Sequence, residues 1–165
     1  MAIEIERKFL VSKIPPIPKG SKVYEVEQYY ISVYPEIRFR KIRNTNSDQW
    51  GYYLTSKNKG TQAREEVETT ITEGVYEHHK EKMKGRLIRK TRIKIPLDRR
   101  LYAELDIYKD FDLIVVEVEF KNETEAKQFV PPDWFGKEVT HDLRYKNINL
   151  ATAENLDDIL RKEKA

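Results

Sequence analysis

The sequence contains no cysteine. Disulfides, thiolate metal sites and cysteine nucleophiles are therefore excluded at once. Glycine is scarce, with 6 in 165 residues, and there is no glycine-rich phosphate loop. Lys57-Asn58-Lys59-Gly60 lacks the spacing of a phosphate-cradling P-loop. No apolar run approaches membrane-spanning length, and Met1-Ala2-Ile3-Glu4-Ile5-Glu6-Arg7-Lys8 has no apolar signal core. A soluble cytoplasmic protein with no membrane partner is the expectation. No fixed-period repeat or low-complexity tract is present, and Pro15-Pro16-Ile17-Pro18 is too short to separate domains. A single domain over residues 1–165 is expected.

Charge is what the chain has in quantity. Charged residues make up 36%, yet 31 basic residues nearly cancel 28 acidic ones and leave a net charge of +3. A non-specific nucleic-acid binder shows a clear basic excess, so no specific nucleic-acid partner is expected. Both signs of charge must have a place in the fold.

Most of the sequence alternates with period two, the signature of strands. Strands are expected near 2–11, 22–31, 36–43, 50–57, 63–71, 86–95, 101–108 and 112–121. Turn-prone stretches separate several of them, at 15–20, 44–48, 58–60 and 96–98. Helices are expected over 73–84 before Gly85, over 123–130 after an N-cap at Asn122, and over 153–163 after Thr152. The fold class is mainly β with added α: a closed eight-stranded antiparallel β-tunnel with a charged lumen, flanked by about three helices.

Alternation carries the functional argument, because residues i, i+2 and i+4 share one face of a strand. Glu4, Glu6 and Lys8 share a face, as do Arg38 and Arg40. Arg64, Glu66 and Glu68 fall together, as do Lys90, Arg92 and Lys94. Glu104 pairs with Asp106, and Glu117 with Glu119 and Lys121. The plain alternative is a half-solvated sheet with its charges facing water. Two features weigh against it. Charges of one sign gather within single strands, and three helices can cover the apolar face. If the sheet closes, the charged rows line the lumen. Confined carboxylates repel unless a cation lies between them, and the basic rows call for an anion.

Oxygen donors without His or Cys point to Mg²⁺ or Mn²⁺. Glu4, Glu6, Glu104, Asp106, Glu117 and Glu119 are the candidate metal ligands. Lys8, Arg38, Arg40, Lys57, Arg64, Lys90 and Arg92 are placed to cradle a polyphosphate. His78, His79 and His141 are weak signals, Trp50 fits packing or a tunnel mouth, and Tyr30 stays open between lumen and core.

The ordered motifs resemble a known family. Glu4-Ile5-Glu6-Arg7-Lys8 is similar to the ExExK signature of the CYTH superfamily, the triphosphate tunnel metalloenzymes. Gln28-Tyr29-Tyr30-Ile31, Arg38-Phe39-Arg40, Leu54-Thr55-Ser56-Lys57 and Arg64-Glu65-Glu66-Val67-Glu68 follow in the family's order. Lys90-Thr91-Arg92, Glu104-Leu105-Asp106 and Glu117-Val118-Glu119 resemble the later tunnel strands, and 136–151 the closing segment. Bacterial members often have glycine where Tyr29 stands. The bacterial inorganic triphosphatases are the most similar. The resemblance implies Glu4, Glu6, Glu117 and Glu119 as core metal acids, acting in catalysis with Lys8. It also adds Arg144 to the phosphate-binding set.

Hydrolysis of the terminal phosphoanhydride of inorganic tripolyphosphate is the expected activity. A thiamine or nucleoside triphosphatase, a class IV-type adenylyl cyclase and a non-enzymatic polyphosphate-binding module remain as alternatives. The expected partner is a small-molecule triphosphate, and a homodimer is left open.

Overall fold

The computed structural model describes residues 2–58 and 62–162. Most of the expected turn at 58–60 and the last residue of the expected final helix lie outside the described residues. The strands are β1 (Ala2–Leu10), β2 (Lys22–Ser32), β3 (Glu36–Asn44), β4 (Gly51–Lys57), β5 (Ala63–Thr70), β6 (Ile88–Pro96), β7 (Tyr102–Tyr108) and β8 (Ile114–Phe120). They pair antiparallel in the order β1-β5-β4-β3-β2-β6-β7-β8, and β8 pairs back onto β1 to close the barrel.

Directly paired residues share a face, so the register fixes what lines the interior. Glu6 faces Glu119 and Lys8 faces Glu117. Arg64 faces Glu4, Glu36 faces Lys57, and Arg92 faces Asp106. The charged rows all fall on the inner side. The alternate residues face outward into apolar clusters. Ile5, Phe9, Leu105, Val116, Val118 and Phe120 pack with Ala126 of α2 (Glu123–Gln128) and with Phe135. Tyr29 and Phe39 pack on Tyr76 of α1 (Glu73–His79). The Tyr29 hydroxyl donates to the Tyr76 carbonyl at 2.6 Å, so this side chain serves the exterior core. Leu105 and Val118 are fully buried, and each such side chain contributes about 1.5–3 kcal/mol.

A third cluster is of another kind. Tyr30, Ile88, Tyr108 and Val115 have inward-facing parity. They pack against Tyr145, Ile148, Leu150 and Ala151, the last three from α3 (Asn147–Thr152). Apolar side chains therefore stop one end of the lumen. Gly85 lets this happen: its φ is +73°, and a Cβ there would lie 1.9 Å from the Ala151 carbonyl oxygen.

The helices differ from expectation in several places: α2 stops at Gln128 rather than 130, and α3 has no counterpart among the expected helices. α1 ends at His79, and a 3₁₀ turn over Lys80–Lys82 continues it. Thr152 is not a cap. It ends α3 and donates its hydroxyl to the Ile148 carbonyl at 2.8 Å. Asn155 instead accepts from the Asp157 N–H at 3.0 Å and starts α4 (Leu156–Lys162). Asn122 does cap α2, accepting from the Glu125 N–H at 2.8 Å. Among the described residues no helix is long and apolar enough to cross a membrane.

Candidate functional site

The open part of the lumen is a cavity lined almost entirely by charge. Around the barrel, β1 supplies Glu4, Glu6 and Lys8, and β5 supplies Arg64, Glu66 and Glu68. β4 gives Lys57, while β3 gives Glu36, Arg38 and Arg40. Arg92 comes from β6, Glu104 from β7, and Glu117 and Glu119 from β8. β3 and β8 are four strands apart in either direction around the ring of eight, so the paired arginines and the paired glutamates face each other across the lumen. Lys8, Arg38, Lys57 and Arg64 keep only 8–10% of their side-chain surface, whereas Glu68 keeps 36%. Glu117, Glu4 and Glu36 are as deeply placed, at 10–12%, so both signs reach the depth of the cavity.

The two signs neutralise each other in part. Lys57 lies 3.0 Å and Arg64 3.6 Å from Glu4. Arg64 also lies 3.3 Å from Glu36. Lys8 lies 3.3 Å from Glu117, and Arg40 3.6 Å from Glu68. The Nε atoms of Arg38 and Arg40 are buried without a hydrogen-bond partner. Buried donors of this kind await an acceptor, and phosphate oxygens supply one.

Three carboxylates remain crowded. Oxygens of Glu4, Glu6 and Glu119 lie within 4.8 Å of one another. Burial first, and then the charges of Glu117 and Glu4, raises the Glu6 carboxyl well above its ordinary range. Burial, with Glu4 and Glu104 after it, pushes Glu119 up to about 7. Burial also raises Glu4, but Lys57 and a hydrogen bond with Glu66 outweigh it and hold Glu4 at about 2. Glu66 is raised to about 7, by burial and by that same contact. A cation between these acids would relieve the repulsion. The all-oxygen donor set fits a hard divalent ion.

Three candidates lie elsewhere. Asp106 is completely buried, and its oxygens accept from Lys90 at 2.8 Å and from Arg92 at 2.7 and 2.9 Å. Both of its oxygens are taken, so it anchors Arg92 rather than facing the cavity. Lys90 is 1% exposed and turned to the same acid. Arg144 closes a fork on Asp142, at 2.9 Å from Nε and 2.6 Å from Nη2, and does not line the cavity. Asp142 does. Glu104 lines the cavity but accepts from Arg92 at 3.0 Å and stands apart from the carboxylate trio.

The candidate set omitted Glu36, Glu66, Glu68, Thr140, Asp142, Lys146 and Asn147, all of which line the cavity. Parity could have found the first three, since Glu36 shares the Arg38 face and Glu66 and Glu68 the Arg64 face. The other four follow no strand period. Tyr30 also lines the cavity, and its hydroxyl accepts from Gln28 Nε2 at 3.1 Å. Trp50 lies on the outer surface beneath Lys41, whose Nζ is 4.5 Å from the ring centroid. His78 is exposed, and His79 packs edge-on against Phe39.

No protein-family model matches the chain, but individual proteins do. It is 38% identical over 152 residues to the inorganic triphosphatase of Nitrosomonas europaea, spanning 90% of this chain and 96% of that protein. It is 31% identical over 159 residues to the inorganic triphosphatase of Acetivibrio thermocellus, spanning 91% and 94%. The crystal structure of an inorganic triphosphatase, 35% identical, superposes with a TM-score of 0.64 over 93% of this chain and 97% of that one. A Pyrococcus horikoshii protein at 18% identity shares the fold, with a TM-score of 0.54 over 75% of this chain and 82% of its own. Near-complete coverage of two curated relatives, at 38% and 31% identity, makes the chain a member of the inorganic triphosphatase family.

Proposed function

We propose that this chain binds inorganic tripolyphosphate with Mg²⁺ or Mn²⁺ and hydrolyses the terminal phosphoanhydride, giving pyrophosphate and phosphate. The observation that carries the reading is one cavity that holds a carboxylate trio, Glu4, Glu6 and Glu119, with Arg38 and Arg40 on the strand opposite Glu119. Glu4, Glu6 and Glu119 would hold the divalent ion, with Glu117 behind them orienting Lys8. The ion supplies charge neutralisation on the transferring phosphoryl oxygens and polarises water.

The chain's own groups do the rest. Arg38 and Arg40 meet phosphate oxygens with planar forks, and Lys8, Lys57, Arg64 and Arg92 add donors along the chain of phosphates. The strands hold these donors in place before substrate arrives, so little reorganisation is needed to meet developing charge. The enclosing barrel excludes bulk water and strengthens each contact. Tripolyphosphate is preferred over ATP because, among the described residues that line the cavity, the one aromatic side chain is Tyr30, which is buried and tied to Gln28. The proposed compartment is the cytoplasm.

The direct test is phosphate release from tripolyphosphate, ATP and thiamine triphosphate with Mg²⁺, with Mn²⁺ and after chelation. Tripolyphosphate should turn over fastest, and chelation should abolish turnover. Full activity in EDTA would overturn the metal assignment. Cyclic AMP formed from ATP as fast as phosphate is released would put the cyclase reading first.

A further inference from the structure

Arg7 stands between two cavity residues, Glu6 and Lys8, and its side chain has the opposite parity. On the outer face its guanidinium is held at four points. Nε and Nη2 donate to Glu138 at 2.9 and 2.8 Å. Nη1 donates to the carbonyls of Ala126 and Phe129 at 2.8 and 3.1 Å. The Arg7 fork, and Thr140 after it, keeps Glu138 below the usual carboxylate range against its partial burial.

From Glu138 the contacts turn inward. The same Oε2 that takes the Arg7 Nε–H also accepts the Thr140 hydroxyl at 2.5 Å. The Lys8 carbonyl is 3.5 Å from that hydroxyl, so its one proton is committed to Glu138. The Thr140 oxygen is then oriented to accept the Lys8 backbone N–H at 3.0 Å. Val139 N donates to the Lys8 carbonyl at 2.8 Å. Further along the same segment, the Tyr145 carbonyl accepts from Lys8 Nζ at 3.0 Å. One stretch of chain thus holds Lys8 at both its main chain and its ammonium group. Arg7 fixes that stretch from outside the barrel.

We propose that Arg7, Glu138 and Thr140 form a positioning relay that sets the Lys8 ammonium for phosphate. The relay rests on the reading that Lys8 contacts a triphosphate. Its members act through Lys8 and are positioning residues, not catalytic ones. Arg7 is placed for this because a planar fork takes both carboxylate oxygens and still leaves Nη1 for two carbonyls.

The test is a double-mutant cycle on tripolyphosphate hydrolysis, with thermal melting to confirm folding. Thr140→Val keeps the shape and removes the hydroxyl. It should lower kcat/KM about 10-fold, the size of one buried hydrogen bond lost. Thr140→Ser, which keeps the hydroxyl, should restore activity to within about threefold of the parent. Arg7→Met should reproduce the Thr140→Val loss. In a Lys8→Ala background, Thr140→Val should cost less than about twofold, because nothing remains to be positioned. An equal loss in both backgrounds would show a merely structural role and overturn the relay. So would parental kinetics for Thr140→Val. A Lys8→Ala protein with parental kinetics would bring down the site reading itself, and the relay with it. If Arg7→Met fails to fold, the nearly isosteric Thr140→Val pair still decides.

Discussion

Lys57 Nζ lies 3.0 Å from Glu4 Oε1, so a group proposed for phosphate and a group proposed for metal are paired with each other. A cation on Glu4 and an anion on Lys57 would each weaken this pair.

Metal and polyphosphate should therefore bind with positive coupling. The cation releases Lys57 as it takes Glu4, and the anion releases Glu4 as it takes Lys57. Reciprocity requires that each raise the other's affinity by the same factor. Melting curves check it: the shift with Mg²⁺ and tripolyphosphate together should exceed the sum of the two separate shifts. Simple addition would mean that the pair is not broken on binding.

Crowding among the acids predicts an unusual stability effect. Glu6→Gln and Glu119→Gln each replace a crowded carboxyl, which its neighbours oppose ionising, with a neutral amide of the same shape. Both should lose activity yet keep or raise the melting temperature of the metal-free protein, because like-charge repulsion falls. They should also lose most of the ligand-induced shift. A variant that retains activity and shift would place its carboxylate outside the site.

Arg38→Ala and Arg40→Ala should each raise the activation free energy by about 2–4 kcal/mol, the usual loss for one preorganised donor to developing charge. Steady-state kinetics on tripolyphosphate measure this. Parental values for both would leave the paired arginines without a role.

The pH dependence of stability follows from Glu66 and Glu119, both raised by burial to about 7. A carboxyl raised in the folded state stabilises the fold while it is protonated. That contribution is complete below the ordinary carboxyl range and is lost as pH rises through about 7. Glu4, held at about 2, loses its own contribution only below the ordinary range and does not oppose the trend above it. The metal-free protein should melt higher at about pH 5.5 than at about pH 8. Saturating Mg²⁺ displaces those protons, so it should shrink or reverse the difference. A metal-free melting temperature that climbs steadily with pH would contradict these assignments.

Gly85→Ala tests the stopper at the end of the barrel. Its φ of +73° is compounded by the Ala151 carbonyl, 1.9 Å from where a Cβ would lie. The change should destabilise by more than about 1 kcal/mol in denaturant unfolding. Gly20→Ala, with a φ of +88° but nothing within 4 Å of a Cβ, should cost less. Equal losses would mean that backbone strain alone matters.

The barrel was legible because most of its strands carry charges on the inner row and apolar side chains on the outer one, a period of two that β2 and part of β3 break. Glu4, Glu6 and Lys8 against Ile5 and Phe9 is the clearest case. The stopper was not legible. Asn147-Ile148-Asn149-Leu150 alternates like a strand, yet it is helical. Arg86 supplies part of the reason by donating to the Leu150 and Ala153 carbonyls at 2.6 Å each, a contact across more than sixty residues of sequence. Lys146 and Asn147 enter the cavity with that segment, so no local pattern marked them. Asp106 misled for the opposite reason: its parity is right, but Lys90 and Arg92 already occupy its oxygens.

The strict alternation of the walls also limits how this chain can change in length. One residue inserted into β1 would turn Glu6 outward beneath α2 and swing Ile5 into the cavity. The same insertion would spoil the apolar shell and the charged interior together, because both are written on the same nine residues of β1. Deletions act alike. Additions and losses are then tolerated best in the connections between strands, such as 12–21 and 45–49. Relatives of this chain should differ in length at those points and agree residue for residue within the strands, a pattern that aligned homologous sequences would reveal directly.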